Sequence, residues 1–331
     1  MGEWGGGGGG STGGSWQLSL VGRLRHGIKR GLEIAVVRSG IADRRARDPK
    51  RRRLILAYHN VVADDDPPWG ERALHLKRSL FEQHIDLLQE KGRIVPLREL
   101  LEDVDQGLGD RPRFALTFDD AYRGAIEAIE SFLVPRGIPC TVFINPGLIG
   151  IEAFWWDRVA EVHGGGIPIA ARRQYLEEFR GETESIEAHL RRAGPLVLSP
   201  PSQRYAPPGL DELTHLRSLG GLVQLGSHTW SHPNLVALSS PEVQTEISRC
   251  RSWLETFSGT GAGILAYPYG LATSQVRGDT KTAGCEYGVL VEGSHLPETD
   301  ADLAPFALPR LPVPAGLSVE GLMVRVAGIR G

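Results

Sequence analysis

The feature that most constrains the fold is a short apolar run, residues 114–118, that ends in the adjacent carboxylates Asp119 and Asp120. The run is rich in strand-forming residues, and neighbouring side chains at the end of a strand can diverge around one pocket. Two adjacent carboxylates repel each other, so a cation or a proton should lie beside one of them. The alternative is the acidic start of a helix, where the helix dipole favours Asp.

Around this run the chain alternates between strand and helix patterns. Strands are predicted at residues 54–58, 114–118, 138–144, 222–227, 264–267, 287–291 and 308–313. This rhythm predicts parallel βαβ units in a sheet or barrel. A charged, helical insertion at about 150–220 interrupts the rhythm. Its Phe154-Trp155-Trp156 stretch either lines a sugar subsite or anchors the insertion.

Residues 1–53 differ in composition from the rest. A Gly-rich stretch, 1–15, predicts a disordered tail. The segment carries 12 Lys and Arg against 4 Asp and Glu, although the net charge of the chain is −3. Residues 16–41 have a loosely amphipathic helical pattern, which predicts either a poorly packed arm or a helix on an anionic membrane surface. Nucleic acid is not expected as a partner, because the basic run lacks interleaved aromatic residues.

No apolar run reaches the roughly 18–20 residues that span a bilayer, and no signal-peptide pattern is visible. We therefore expect a cytoplasmic protein, whose basic arm allows peripheral contact at the inner membrane face. The domain prediction is an N-terminal arm, 1–53, followed by one barrel, 54–331, that contains the insertion. The sequence does not indicate an oligomeric state.

Polar residues follow successive predicted strands. They are His59, Asp119 and Asp120, His228 and His232, Tyr267 to Gly270, and Arg310. In a parallel barrel the carboxyl ends of all strands open on one face, where active sites are built. These residues can therefore converge although they are distant in sequence.

His228 and His232 have the i, i+4 spacing that places two imidazoles on one side of a helical turn. Two histidines and a carboxylate give three protein ligands and leave an open position for water, the usual arrangement of catalytic zinc. The alternative is two surface histidines near a turn. An Asp-Asp strand end in the same barrel favours the metal site.

The residues suggest hydrolysis of an amide or ester. A divalent metal polarises a carbonyl and lowers the pKa of a coordinated water, and a neighbouring carboxylate can accept the proton. The leaving amine then needs a proton from a general acid. His59, directly after the first strand, is the best-placed candidate, although a histidine there can also be a structural hydrogen-bonding group.

Three motifs together resemble the polysaccharide deacetylases of the NodB-homology type, carbohydrate esterase family 4. They are Thr117-Phe118-Asp119-Asp120, His228-Thr229-Trp230-Ser231-His232-Pro233 and Ala266-Tyr267-Pro268-Tyr269-Gly270. The resemblance covers about residues 54–313 and implies an α/β fold, a distorted (β/α)7 barrel. It also implies that Asp119 is the general base and that Asp120, His228 and His232 bind the metal. The backbone near Tyr269, with Tyr267 and Pro268, would help to hold the oxyanion.

The chain departs from the family pattern at two positions. Ala266 occupies a place that is often Arg, and Arg310 in the last strand could supply that charge near the base. The C-terminal Leu-x-His motif, whose His acts as the acid, is absent, and His295 fits this role poorly. Permuted members place this histidine at the first strand, and Tyr58-His59-Asn60-Val61 looks like that arrangement. The combination resembles exopolysaccharide-associated deacetylases.

We therefore expect a divalent metal, with Zn²⁺ favoured by the ligand set, and a hydrolase that removes N- or O-linked acetyl groups from a polysaccharide or lipid-linked glycan. Two alternatives stay open. One is an amidohydrolase that acts on a non-sugar amide, and the other is a carbohydrate-binding protein without turnover. The sugar, its linkage and the acetyl selectivity are not indicated by the sequence.

Overall fold

The computed structural model of the protein describes residues 27–48, 51–102, 111–193, 199–259, 263–293, 295–297 and 302–329. Its strands are β1 (Arg53–Tyr58), β2 (Asn60–Val62), β3 (His75–Lys77), β4 (Arg93–Ile94), β5 (Arg113–Phe118), β6 (Cys140–Ile144), β7 (Val223–Ser227), β8 (Ile264–Ala266), β9 (Tyr287–Val289) and β10 (Leu311–Pro312). The predicted disordered tail, 1–15, lies outside the described residues.

Twelve helices accompany the strands in the described part of the chain. They are α1 (27–38), α2 (Ile41–Ala46), α3 (Arg78–Lys91), α4 (Leu97–Leu101), α5 (Arg123–Ala128), α6 (Trp155–Val162), α7 (Ile169–Glu177), α8 (Thr183–Ala193), α9 (Leu210–Ser218), α10 (Ser240–Ser258), α11 (Ser274–Thr282) and α12 (Val319–Val326).

The main sheet has the strand order β10-β1-β5-β6-β7-β8-β9, and β4 pairs with β5 beside it. Each of these pairings is parallel. Seven parallel strands in one path, connected largely by helices, confirm the predicted distorted (β/α)7 barrel. All their carboxyl ends therefore lie on one face.

The segment 308–312 brings the two edges of the sheet together. Leu308 forms a parallel bridge with Val289 of β9, and its carbonyl accepts a hydrogen bond from Leu290. Three residues later, Leu311 pairs with Leu56 of β1. This short stretch thus links the last strand to the first and closes the sheet on itself.

Burial on both faces explains the strand composition. All six residues of β1 and all five of β6 are buried, as expected for a parallel sheet covered by helices. The helices α3, α10 and α12 turn their apolar residues toward the sheet, where they join clusters of buried side chains.

The insertion between β6 and β7 consists of α6, α7, α8 and α9. Its buried side chains, such as Trp155, Ile186 and Leu213, belong to the same apolar cluster as the strands β1 and β5. Phe154 and Trp156 stack with ring centroids 4.4 Å apart. The aromatic stretch therefore packs the insertion onto the barrel, and Trp156 also reaches the cavity described below.

The N-terminal arm is helical from residue 27. The prediction of a helix over 16–41 thus holds for its described part, and residues 16–26 lie outside the described residues. Ala42 and Ala46 of α2 are buried in the main core, and Val36 and Val37 of α1 pack against it. No helix among the described residues is both long enough and apolar enough to cross a bilayer.

Candidate active site

The strand ends converge on a cavity of about 420 Å³ at the carboxyl face of the barrel. Asp119 and Asp120 follow β5, His228 follows β7, and His59 follows β1. The residues that line the cavity are His59, Glu71, Ala73, Leu74, Asp119, Asp120, Trp156, Arg172, Leu176, His228, His232, Tyr269, Leu271, Val291, Pro312, Val313 and Pro314. The structure thus brings together residues from widely separated stretches of sequence.

Three potential metal ligands meet at the base of the cavity. The Oδ1 atom of Asp120 lies 3.5 Å from Nε2 of His228 and 3.4 Å from Nε2 of His232. Atoms bound at about 2.0–2.2 Å to a tetrahedral zinc ion lie about 3.3–3.6 Å apart, so the separations fit a shared cation. Among the described residues, this is the one group of three His, Cys, Asp or Glu side chains close enough to hold a metal.

The hydrogen bonds and charges of this triad also suit a metal. Nδ1 of His228 donates to the carbonyl of Ala266 at 2.7 Å, which leaves the lone pair of Nε2 directed at Asp120. Oδ1 of Asp120 is buried and accepts no hydrogen bond. Burial, and next the charge of Asp119, raise the pKa of Asp120 well above its usual value. A cation would give the unbonded Oδ1 a partner and would offset the effects of burial and of the charge of Asp119 on the pKa of Asp120. The donor set therefore fits a divalent metal.

Burial lowers the pKa values of both histidines, and for His232 the neighbouring His228 lowers it further. Both rings are therefore neutral near pH 7. A neutral imidazole is the form that binds a metal, because the coordinating nitrogen must carry a lone pair.

The segment that carries the two histidines is a loop and not the helical turn inferred from their spacing. Thr229 and His232 have φ values of 69° and 59°. The side chain of Thr229 accepts the N–H of His232, and Glu246 of α10 accepts both the N–H and the hydroxyl of Ser231. These bonds bend the loop so that both imidazoles face Asp120.

Backbone strain is concentrated in the three motifs. Six described residues other than glycine have positive φ, and five of them are Asp120, Ala121, Thr229, His232 and Tyr269. Such conformations cost about 1–3 kcal/mol each and persist where the surrounding structure imposes them. The strained residues are therefore mostly those that lie at the cavity or hold its polar side chains in position.

Asp119 forms a buried ion pair with Arg310. Nη1 and Nη2 of Arg310 donate to Oδ1 and Oδ2 of Asp119, each at 2.7 Å. Arg310 also donates to Thr117 and to the carbonyl of Leu290. Burial is the largest single influence and would raise the pKa of Asp119, but the charge and hydrogen bonds of Arg310, together with the neighbouring His228 and His59, outweigh it and hold that pKa well below the usual value. Asp119 is therefore ionised and fixed in orientation.

His59 faces the same carboxylate from the end of β1, the strand that pairs with β5. Its Nε2 lies 4.0 Å from Oδ2 of Asp119, and its side chain retains 20% exposure. Burial is the largest influence and lowers the pKa of His59 to about 4, although the charge of Asp119 raises it. The ring is therefore neutral near pH 7 and lies within reach of a group bound in the cavity.

The third motif, residues 266–270, contributes one side chain to the cavity lining and others to the core. Tyr269 lines the cavity, its ring lies 4.6 Å from that of His232, and its hydroxyl donates to the carbonyl of His232. The turn's two hydrogen bonds are donated by Gly270 and Leu271, so the N–H of Tyr269 is not used by them. Pro268 is buried at the start of this turn.

Tyr267 does not lie in the cavity, contrary to the prediction. Its side chain packs between the sheet and the helices α10 and α11, and its hydroxyl donates to the carbonyl of Phe306 at 3.0 Å. Successive side chains at a strand end point to opposite sides, so Tyr267 turns away when the next residues turn toward the site. His295 also lies apart from the cavity lining, where its Nε2 bonds the carbonyl of Val326.

A buried hydrogen-bond network behind the cavity was not found from the sequence. Asp157, which is fully buried in α6, accepts hydrogen bonds from His75, from the hydroxyl of Tyr122 and from the N–H of Glu71. Trp156 donates to the Tyr122 hydroxyl, and its ring packs 4.8 Å from that of His232. The network thus packs against one side of the group formed by Asp120, His228 and His232. A carboxylate directly after two tryptophans was the available signal.

Asn145, at the end of β6, was also missed. Its amide nitrogen donates to the carbonyls of His228 and Thr229, which ties the histidine loop to the neighbouring strand. A polar residue at a strand end is a general signal for this role.

Comparison with known families gives a match to the sequence model described as polysaccharide deacetylase. The matched residues are 107–288, more than half of the chain. They include all three motifs, and they contain Asp119, Asp120, His228 and His232, whereas His59 and Arg310 lie outside the match.

Solved structures show the same architecture. The Streptococcus pyogenes deacetylase PplD, determined with acetate, matches with a TM-score of 0.55 and 16% identity over 82% of this chain and 97% of that one. IcaB from Ammonifex degensii gives a TM-score of 0.56 and 17% identity, with coverages of 83% and 96%. A de-N-acetylase from Aggregatibacter actinomycetemcomitans gives 0.56 and 17%, with 81% and 97%. At these identities the similarity concerns the fold.

Proposed function

Because the chain belongs to the polysaccharide deacetylase family and is therefore a carbohydrate deacetylase, we propose that it removes N- or O-linked acetyl groups from a polysaccharide or lipid-linked glycan with the help of one divalent metal ion. The observation that carries this proposal is the convergence of Asp120, His228 and His232 beside the paired Asp119. Zn²⁺ is the metal that a set of two histidines and one carboxylate favours.

Asp120, His228 and His232 would hold the metal. When bound there, it supplies Lewis acidity, which polarises an acetyl carbonyl and makes water a better proton donor. The three side chains are buried, and three protein ligands would leave a further coordination position for water or substrate. Trp156 and Tyr269 pack against His232 from two directions and hold its ring in place.

Asp119 would act as the general base. Its Oδ2 is the carboxylate oxygen nearer to His59, and the ion pair with Arg310 keeps it ionised. Arg310 also fixes the plane of the carboxylate, because the two guanidinium bonds are bidentate. The base is thus oriented before substrate enters.

His59 would give the proton that the leaving group needs when the bond to the acetyl carbon breaks. Its pKa of about 4 means that the ring must acquire this proton during turnover, and the proton that Asp119 takes from the attacking water would be its source. Negative charge that develops on the attacked acetyl group favours that uptake, since an opposite charge within about 4–6 Å raises the pKa of a histidine. The N–H of Tyr269 would contribute a hydrogen bond to the same developing charge.

The walls of the cavity support a glycan substrate that is not strongly charged. Most of the side chains beyond the polar base are apolar, among them Leu74, Leu176 and Leu271. Arg172, a cation in the lining, is paired with Glu71 at 2.6 Å. Two of the solved structures described above are called deacetylases in their own descriptions, which agrees with the proposed reaction class.

The test is acetate release from N-acetylglucosamine oligomers and from O-acetylated sugars, before and after removal of metal with a chelator. We expect activity that is lost on chelation and restored by Zn²⁺, with the two substrate sets deciding between N- and O-acetyl groups. Asp119→Asn should lower kcat by about 10²–10⁴-fold while the metal content does not change.

His59→Ala should also lower kcat while metal is kept, and loss of metal instead would make His59 a ligand. His215→Ala is the matched control, because this histidine is exposed on α9 and is not part of the cavity lining. Unchanged turnover in Asp119→Asn would contradict the assignment of the base. Turnover of non-sugar amides with a silent glycan panel would favour the amidohydrolase alternative.

A further inference from the structure

The helical arm formed by α1 and α2 exposes an unusual set of apolar side chains. Ile28, Leu32 and Ile41 are 57%, 63% and 50% exposed, and they are three of the eight exposed large apolar residues in the described chain. Ile28 and Leu32 are four residues apart and therefore lie on one face of α1. Ala35, also exposed, extends this face by one further turn.

The opposite face of the arm is anchored to the barrel. Val36 and Val37 pack against the main core, and Ala42 and Ala46 are buried in it. Asp43 of α2 also forms an ion pair with Lys91 at 2.6 Å. The outward apolar residues are therefore held in a fixed orientation.

Exposed basic residues lie on the same helical arm as the apolar face. Lys29, Arg30, Arg38, Arg44 and Arg45 are all exposed on the arm. The described arm, 27–48, carries six basic and three acidic residues, whereas the whole chain is net negative at −3. An apolar face on a basic arm is complementary to an anionic lipid surface, since apolar side chains enter the headgroup boundary and cations meet lipid phosphates.

The arm lies next to the catalytic cavity. A groove of about 480 Å³ runs between Lys29 and Arg30 of α1 and the segment around Leu317, and Ala73 and Pro314 line both this groove and the catalytic cavity. The barrel-facing side of α1 therefore lies near the cavity.

We propose that α1 and α2 form a docking surface for an anionic phospholipid membrane, with Ile28, Leu32 and Ile41 entering the headgroup region. Docking brings the barrel to the membrane surface. A position at the membrane suits a lipid-linked glycan as substrate. This consequence rests on the proposed function, whereas the docking itself does not depend on it.

The test is sedimentation of the full-length protein with vesicles of phosphatidylcholine alone and with roughly 30–40% phosphatidylglycerol, which supplies the negative surface potential that attracts basic segments. Wild type should bind the anionic vesicles and release them at high salt. Ile28→Ser/Leu32→Ser and Arg38→Gln/Arg44→Gln should each weaken binding at least about tenfold, because each basic residue contributes about fivefold and each buried aliphatic side chain a comparable factor.

Two double variants elsewhere on the surface serve as matched controls. Ile169→Ser/Leu210→Ser removes exposed apolar residues, and Arg173→Gln/Arg191→Gln removes exposed basic residues. Both should bind like wild type. Circular dichroism melting verifies that all four variants fold. We expect them to fold because the substituted side chains are exposed.

Failure of wild type to bind anionic vesicles, equal binding to neutral vesicles, or equal loss in the control variants would overturn the proposal. Binding does not require turnover, so a protein that docks but releases no acetate refutes the proposed function alone. An active protein that ignores vesicles refutes the docking alone.

Discussion

The ion pair between Arg310 and Asp119 allows a quantitative prediction. Arg310 is fully buried and Asp119 is 1% exposed, so the charges compensate each other without water. The substitution Arg310→Met keeps most of the side-chain volume but removes four hydrogen bonds and the positive charge. Asp119 then remains as a buried carboxylate without its partner.

The expected loss in the free energy of unfolding is about 3–5 kcal/mol, the usual cost of removing one member of a buried pair. The carbonyl of Leu290 also loses its donor, which contributes within this range. The second consequence concerns the pKa of Asp119. Burial is the largest influence on this pKa and raises it, and without the charge and hydrogen bonds of Arg310 the remaining lowering influences are weaker, so the pKa rises.

Urea unfolding at pH 7 measures the stability, and acetate release between about pH 4 and 9 measures the base. A lowered pKa keeps Asp119 ionised over this whole range in the wild type. In Arg310→Met the acidic limb of kcat/KM should move to higher pH, because the carboxyl group must first lose its proton. Each unit of that movement corresponds to about 1.4 kcal/mol.

The double variant Arg310→Met/Asp119→Asn provides the control. It should regain at least half of the lost stability, since the unpaired charge is gone, and it should remain inactive. If Arg310→Met unfolds at the wild-type urea concentration, or if the double variant is less stable than the single one, the interpretation of a compensated buried pair is refuted.

Three further predictions follow from other contacts. Tyr267→Phe should lower the free energy of unfolding by about 1 kcal/mol, because it removes the hydrogen bond to the carbonyl of Phe306, while kcat/KM stays within about twofold. A large loss of turnover at an unchanged urea midpoint would instead show that Tyr267 acts in the site. Burial lowers the pKa of His84 to about 4. This histidine therefore binds a proton more readily in the unfolded chain below about pH 6.5. The free energy of unfolding should fall by up to about 3 kcal/mol between about pH 6.5 and 4. Urea titrations of His84→Gln should show a smaller decrease over the same pH range. Asp120→Asn should weaken Zn²⁺ binding at least about tenfold in equilibrium dialysis without destabilising the metal-free protein, because it removes a repelled buried carboxylate.

Strand ends were predictable because apolar runs followed by polar residues are local features of the sequence. The runs before Asp119 and His228 became β5 and β7, and the parallel arrangement then placed both residues on one face. Arg310 was placed near the base only from its position in the last strand. The structure locates it at the ion pair because the closing segment returns beside β1.

The local shape of the histidine motif could not be read from spacing. An i, i+4 separation is compatible with a helix, but His228 and His232 converge through a loop with two positive φ values. The bonds from Ser231 to Glu246 that hold this loop join residues on different elements. Such tertiary contacts leave no periodic signal in the sequence.

The hydrogen-bond network of Asp157 could not be predicted for the same reason. His75 and Asp157 are 82 residues apart in sequence, and they meet because the fold brings β3 and α6 together. The two tryptophans before Asp157 mark that residue, but the sequence does not indicate which residues it contacts. Their pairing becomes visible when the barrel has been assembled.

The segment 308–312 has a consequence for the order of events in biosynthesis. It is among the last parts of the barrel to leave the ribosome, yet it carries the guanidinium that balances Asp119, which emerged 191 residues earlier. A nascent chain that stops before Arg310 contains Asp120, His228 and His232 but leaves Asp119 without its counterion. The charge of Asp119 is therefore balanced late, when the two edges of the sheet join, and a product of translation interrupted before that point would hold an uncompensated carboxylate.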